Sequence, residues 1–278
     1  MPSPVEPGVQ AEIDRRRKAG ERRFVDATRG LSLPAFVHHG LTESEIKRRL
    51  DRGGSGLLAV SLHTHAYFLL LLALDKVGIP CTAITTEQLA QRLRASGHRP
   101  GSDLRFETRL TPRLLRECGA GERLLFVMVD VLTDRGPNMM IPVFGRAKVY
   151  TVSWAQLAIR LEADVLVAVC QDRGSLADIH TEILDGPFQD AFTLAARVFE
   201  RFDRILGDDL SSWEDQPAWS RYAAPLPDFT SGSDAELIQA VHRLAACDEV
   251  IAKRLLALVR QGWPQFAPPA APGVRPRT

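Results

Sequence analysis

Cysteine is scarce in this chain: Cys81, Cys118, Cys170 and Cys247 are the four among 278 residues. They stand far apart in apolar surroundings, which excludes a disulfide scaffold or a cysteine-built metal site and fits buried free thiols in a reducing cytoplasm. The sequence also lacks a Gly-rich phosphate loop and a dinucleotide fingerprint after a strand, so no nucleotide cofactor is expected. No Gly-x-Ser-x-Gly elbow is present, which removes the usual α/β-hydrolase nucleophile. His38 and His39 are adjacent, but no Cys, Asp or Glu cluster stands at ligand spacing beside them, so they read as a loop dipeptide. No cofactor and no metal are expected.

An excess of charge of one sign is missing too. Lys and Arg number 35 against 34 Asp and Glu, a net charge of +1, and nothing in that balance asks for nucleic acid. The distribution is uneven, however. Arg15, Arg16, Arg17, Lys18, Arg22 and Arg23 crowd the first predicted helix, either as a patch that attracts phosphate or a membrane surface or as a solvated face. The polar N-terminus has no secretory apolar region. The apolar run over 57–74 nearly has the length to span a bilayer, but Ser61, His63, Thr64 and His65 interrupt it. A strand, a turn and a helix account for those polar residues. The expectation is a soluble cytoplasmic protein without a transmembrane segment, with peripheral contact at the inner face of the membrane left open.

What is present is an alternation of elements. Hydrophobic residues at 45% and charged residues at 25% suit an ordinary globular protein. Thr42 and Glu45 form a capping box ahead of a helix. Strands are expected at 56–62, 81–84, 105–109, 124–129 and 164–170, with helices at 66–76, 87–95, 111–117, 151–161 and 190–206. The continuous apolar runs LLFVMV and DVLVAVC suit strands buried on both faces. A loop holding Gly136, Pro137, Phe144 and Gly145 is expected between the last two strands. The fold class is therefore α/β, a mostly parallel central sheet flanked by helices. Residues 1–40 read as a basic helical segment and 41–225 as the α/β domain. Residues 226–263 read as a C-terminal helical appendage, with its helix at 234–261, and 264–278 as a disordered tail.

The most informative stretch is GLLAVSLHTHAYFLLLLAL, residues 56–74. It places His63 and His65 at the carboxyl end of a buried strand, where open α/β sheets gather ligands. A histidine there can take a proton from a substrate hydroxyl near neutral pH, or can simply pack at a strand-helix corner. The strand at 124–129 delivers Asp130 to its own carboxyl end.

This order of motifs resembles the lysophospholipid acyltransferase superfamily, and within it the bacterial lipid A biosynthesis (lauroyl/myristoyl) acyltransferases. GLLAVSLHTHAYF is similar to the family's strand into a catalytic histidine, and LDKVGIPCTAIT to its helix, Gly-x-Pro and next strand. LLRECGAGERLLFVMVD resembles the helix, Gly turn and strand that end in an aspartate. IPVFGRAKVYTVSWAQLAIRLEADVLVAV resembles the Phe-Gly-Arg loop with its following helix and strand, and ARVFERFDRILGDDLSSWEDQPAW the closing helix and Trp-rich tail. The likeness spans roughly residues 40–225. It implies an acyltransferase-like fold with an extra C-terminal helix, and His63 as general base on an acceptor.

Departures from the family pattern shape that implication. The acid that the family carries five positions after its histidine is Phe68 here, and counting from His65 gives Leu70. The arginine after the second strand falls near Thr86, the glutamine after the aspartate is Val131, and the N-terminal membrane helix has no counterpart. If His63 is catalytic, Asp130 is the residue expected to orient it, with His65 second. The resemblance makes His65, Phe68, Gly145 and Arg146 candidates for substrate binding, Arg146 as a phosphate ligand. Two functions follow. One is an acyltransferase moving an acyl group from an acyl-carrier-protein or coenzyme A thioester to a hydroxyl or amine acceptor. The other is a non-catalytic relative whose AYFLLLLAL helix and Phe68 line a groove for an acyl chain or a partner.

Overall fold

The computed structural model describes residues 7–28, 34–51, 56–95, 104–131, 137–144, 146–207 and 209–222. Its first half holds α1 (Pro7–Thr28), β1 (Ala35–Gly40), α2 (Glu43–Asp51), β2 (Leu57–Ser61), α3 (Tyr67–Lys76), β3 (Cys81–Ile84), α4 (Glu87–Ala95) and β4 (Leu104–Glu107). There follow α5 (Pro112–Gly119), β5 (Leu124–Met128), β6 (Asn138–Val143), β7 (Arg146–Thr151) and α6 (Ser153–Arg160). The described chain closes with β8 (Asp164–Asp172), β9 (Leu176–Leu184), α7 (Ala191–Leu206) and α8 (Gln216–Tyr222).

Seven strands form one sheet in the order β1-β9-β8-β2-β5-β3-β4, parallel throughout except for the β8–β9 pair. The fold class is thus α/β with a mostly parallel central sheet flanked by helices. Side-chain alternation divides the core into two layers. Leu58, Val60, Leu125 and Val127 face α5, α6, α7 and the β6–β7 hairpin. Leu57, Ala59, Leu124 and Phe126 face α2 and α3, together with Phe24 of α1. The connections leaving the neighbouring strands β2 and β5 therefore pass to opposite faces of the sheet, which opens a crevice at their carboxyl ends.

Local signals fix the helix ends. Thr42 N donates to Glu45 Oε2 at 2.8 Å, closing the expected capping box. Thr111 Oγ1 accepts from Leu114 N at 3.2 Å, and Asp190 Oδ1 from Thr193 N at 2.7 Å. Gly78 ends the α3 segment with φ of 68°, a left-handed conformation that favours glycine.

Several expectations need correction. His38 and His39 lie in β1, a strand of the sheet edge, where His39 stacks on His180 of β9 at 4.5 Å between ring centroids. Part of the loop expected to hold Gly136, Pro137, Phe144 and Gly145 is the β6–β7 hairpin, which covers one core layer. Strand β9 was not expected at all, because its polar-apolar alternation lacks the continuous apolar signature of the central strands. The basic helix is also more than a solvated face. It buries Ile13 and Phe24, Arg23 pairs with Asp172, and Arg16 Nη1 donates to the Trp213 carbonyl at 3.0 Å. Cys81, Cys118 and Cys170 are free and buried. Cys247, the helix expected at 234–261, the linker before it and the tail lie outside the described residues, as does Gly145. Among the described residues no helix is long and apolar enough to cross a membrane.

The aromatic spacing in α7 identifies a stability test. Phe199 is fully buried between the stacked Tyr150 ring, 4.9 Å away, and Phe202 at 5.8 Å. Phe199→Ala should cost about 3–5 kcal/mol in denaturant unfolding, because the cavity left beneath β7 cannot fully collapse. A loss below about 1 kcal/mol would mean that α7 does not anchor this layer.

Candidate active site

His63 and Asp130 arrive side by side because of strand register. β2 and β5 run parallel with Ser61 opposite Met128, and each residue of the pair lies two positions beyond that register point. Val129 N donates to Ser61 O at 3.0 Å and carries the ladder one step further. The carboxylate of Asp130 then accepts from the His63 backbone N at 3.0 and 3.1 Å and meets His63 Nδ1 at 2.7 Å. Trp213 Nε1 donates to its other oxygen at 2.7 Å. Asp130 has no exposed side-chain surface, whereas the His63 ring keeps 28% of its own.

Electrostatics follow from that geometry. Burial alone would raise the Asp130 pKa, but the His63 charge and the hydrogen bonds from His63 and Trp213 outweigh it and hold the group below its ordinary value. Burial alone would lower the His63 pKa, yet the charge and hydrogen bond of Asp130 reverse the sign and raise it above 6.5. With Asp130 ionised, Nδ1 carries the proton that it shares, and Nε2 of the neutral ring is left as a base.

The loop after α7 holds the pair in place through consecutive residues. Trp213 reaches Asp130, Glu214 N donates to the His63 carbonyl at 2.7 Å, and Asp215 pairs with the buried Lys148 of β7. Thr64 and Trp213 form an antiparallel bridge, and His65 N donates to Ser212 O at 2.9 Å. Phe144, at φ of 49°, packs its ring 5.2 Å from that of Trp213 and closes the outer side.

His63 lines a cavity of about 630 Å³, within the size range of small-molecule sites. The cavity runs along the carboxyl ends of β5, β3 and β4, and Phe68, Leu71, Leu89, Phe106, Phe126 and Leu157 make much of its wall apolar. Tyr67 stands edge-on to His63 at 5.6 Å. Two buried polar groups of the wall have no hydrogen-bond partner, the indole N–H of Trp154 and Oε2 of Glu214. Buried polar groups are rarely left so, and a ligand or water that supplied an acceptor and a donor would relieve both. Burial pushes the Glu214 carboxyl up to about 7 against the pull of His63 and Arg17.

The residues expected from the sequence are only partly brought together. His63 and Phe68 line the cavity, and Asp130 is buried behind the His63 ring. His65 turns away beneath α1, where its Nε2 is buried without a hydrogen-bond partner and a Cβ on Gly20 would stand 2.7 Å from its carbonyl oxygen. Arg146 lies over the Trp219 ring at 5.1 Å and donates to Ser220 O at 3.4 Å, away from the cavity wall. Trp213 and Glu214 were not anticipated as site residues, Tyr67 was expected only as part of the AYFLLLLAL groove helix, and Arg17 only as part of the basic patch. The Trp-Glu-Asp run behind a turn was the one usable signal for the first two; nothing in a basic helix points to Arg17. Among the described residues no group of three His, Cys, Asp or Glu side chains could hold a metal ion.

If Asp130 sets the protonation of His63, Asp130→Asn leaves burial as the dominant influence, and the ring pKa should fall below 6.5, as an NMR titration of the imidazole would read. A titration that stayed above that value would show that another group holds the proton. No protein-family model matches the sequence, and no curated protein matches it either.

Proposed function

We propose that the chain is an acyltransferase acting on an acyl-carrier-protein or coenzyme A thioester, with His63 as general base for a hydroxyl or amine acceptor. The observation that carries this reading is the 2.7 Å contact of His63 Nδ1 with the buried Asp130, in the wall of a largely apolar cavity. Asp130 does for the ring what the resemblance assigns to an acid one helical turn on. It fixes the tautomer and stabilises the imidazolium as it forms. The acceptor's proton passes to Nε2 while its oxygen or nitrogen bonds to the thioester carbonyl carbon. The C–S bond then breaks and the imidazolium returns the proton to the departing thiolate. An acyl chain suits the wall formed by Phe68, Leu71 and Phe126, and the thioester carbonyl suits the unpartnered Trp154 N–H. The order of segments from GLLAVSLHTHAYF to the Trp-rich tail supports the same reading. It puts the protein in the cytoplasm, with its donor there and contact with the membrane face limited to the periphery.

A second reading, a non-catalytic binder of acyl chains or of a partner, is favoured by Phe68 in the cavity wall. Mass-spectrometric transfer assays with octanoyl- and lauroyl-coenzyme A, the matching acyl-carrier proteins and a panel of hydroxyl and amine acceptors separate the two. His63→Ala should lower transfer about 10²–10⁴-fold with the fold intact by circular dichroism. Donor bound but left untouched by the wild type would favour the binder. Only neutral His63 accepts a proton and its pKa is raised, so kcat/KM should climb with pH through a limb centred above 6.5. A limb centred lower would remove His63 as the base.

A further inference from the structure

We infer that the acceptor in this site is a primary amine bound as its ammonium ion, with Glu214 taking its first proton and His63 its second. The inference rests on the acyl-transfer reading above and narrows its acceptor. Acylating R–NH3+ requires the loss of two protons, whereas a hydroxyl gives up one. His63 alone serves a hydroxyl, so a second buried base in the same cavity has no task there.

Glu214 meets the requirements for that second base. Its side chain is 3% exposed, it lines the cavity beside His63, and its backbone is tied to the His63 carbonyl at 2.7 Å. Oε2 has no hydrogen-bond partner, and Arg17 Nε, on a half-exposed side chain, stands 3.5 Å away at the outer limit of such a bond. An ammonium group supplies the missing N–H donor and a second positive charge beside that of Arg17. The fixed charges around it agree: Glu21 and Glu214 line the cavity with Arg17 as the cation, and the ionised Asp130 lies behind His63. Burial lowers the pKa of an ammonium and has already raised that of Glu214, which brings the two closer and favours transfer between them.

The step then runs as follows in atoms. One ammonium proton moves to Glu214 Oε2, and the freed lone pair forms the C–N bond at the thioester carbonyl. A second N–H proton passes to His63 Nε2, the C–S bond breaks with its electron pair on sulfur, and the imidazolium protonates the thiolate. Amide and thiol leave, and Glu214 releases its proton to solvent.

The test pairs hexylamine with hexanol and benzylamine with benzyl alcohol, with octanoyl-coenzyme A as donor and the full-length wild type, Glu214→Gln and His63→Ala as enzymes. The wild type should form amides at least about ten-fold faster than esters. Glu214→Gln should lower amide formation about 100-fold and shrink the amine-to-alcohol ratio. Should Glu214→Gln not fold, the wild-type ratio decides alone. Ester formed in preference to amide, or a Glu214→Gln loss equal on both acceptors, would overturn the inference and leave acyl transfer standing. No His63-dependent product with either acceptor class would overturn the acyl-transfer reading and this inference together.

Discussion

The parallel register of β2 and β5 is the constraint on which the site depends. Hydrogen bonding sets Ser61 against Met128, and both strands end within one residue of that pair's neighbours. Whatever lies two residues on is therefore held level across the strand spacing of about 4.8 Å. A one-residue slip would turn Leu58 and Val60 from one core layer to the other, so the apolar pattern forbids it. The same packing that secures the core thereby places His63 beside Asp130, with no dedicated loop needed to bring them together.

Register alone would leave a carboxylate buried at a cost of several kcal/mol. The backbone N–H of His63, its ring and the Trp213 indole all direct donors at Asp130, and hydrogen bonds to a charged group contribute about 1.5–3 kcal/mol each. Trp213 can do this because its loop is fixed independently, through Asp215 to Lys148 and through the bridge to Thr64. The α1 helix adds a clamp from the other side, with Arg16 bonded to the carbonyls of Ser211 and Trp213. Sheet, hairpin, loop and first helix thus converge on one buried charge.

The central strands were legible in the sequence because burial on both faces leaves an unbroken apolar run, as in β5 and β8. One helix was legible through its cap at Thr42 and others through their apolar spacing, while the caps at Thr111 and Asp190 emerge only in the structure. The strand at one edge, β1, and its neighbour β9 were not legible, because His38, His39, Asp178 and His180 break up the apolar run that marks the central strands. The β6–β7 hairpin was obscured by Pro142, which counts against a strand in any single sequence, and by a turn at Phe144 that lacks the usual two-residue signature. In the site, His63 and Asp130 could be read because each ends an apolar run. Glu214 could not, because its partner in space is 151 residues away in sequence (214 − 63) and no local period relates them.

The position of Phe68 becomes intelligible once the acid is seen to come from the sheet. A carboxylate at that point of α3 would stand in the cavity wall, between the Tyr67 ring at 3.9 Å and Phe24 at 4.7 Å. There it would need donors that these aromatic neighbours cannot give, and it would cut the apolar surface short of His63. With Asp130 reaching the ring from β5, α3 is free to stay apolar along its buried face, from Phe68 to Leu71 and Leu74. The imidazole and the apolar wall can then be adjacent, because the charge that holds the ring lies behind it and not in the cavity. Glu214 is the exception that this arrangement leaves exposed to view, a buried carboxyl on the cavity side of His63 with one oxygen still unbonded. One acid is thus hidden completely and the other faces the cavity: Asp130 is bonded to the ring, and Glu214 borders the space beside it.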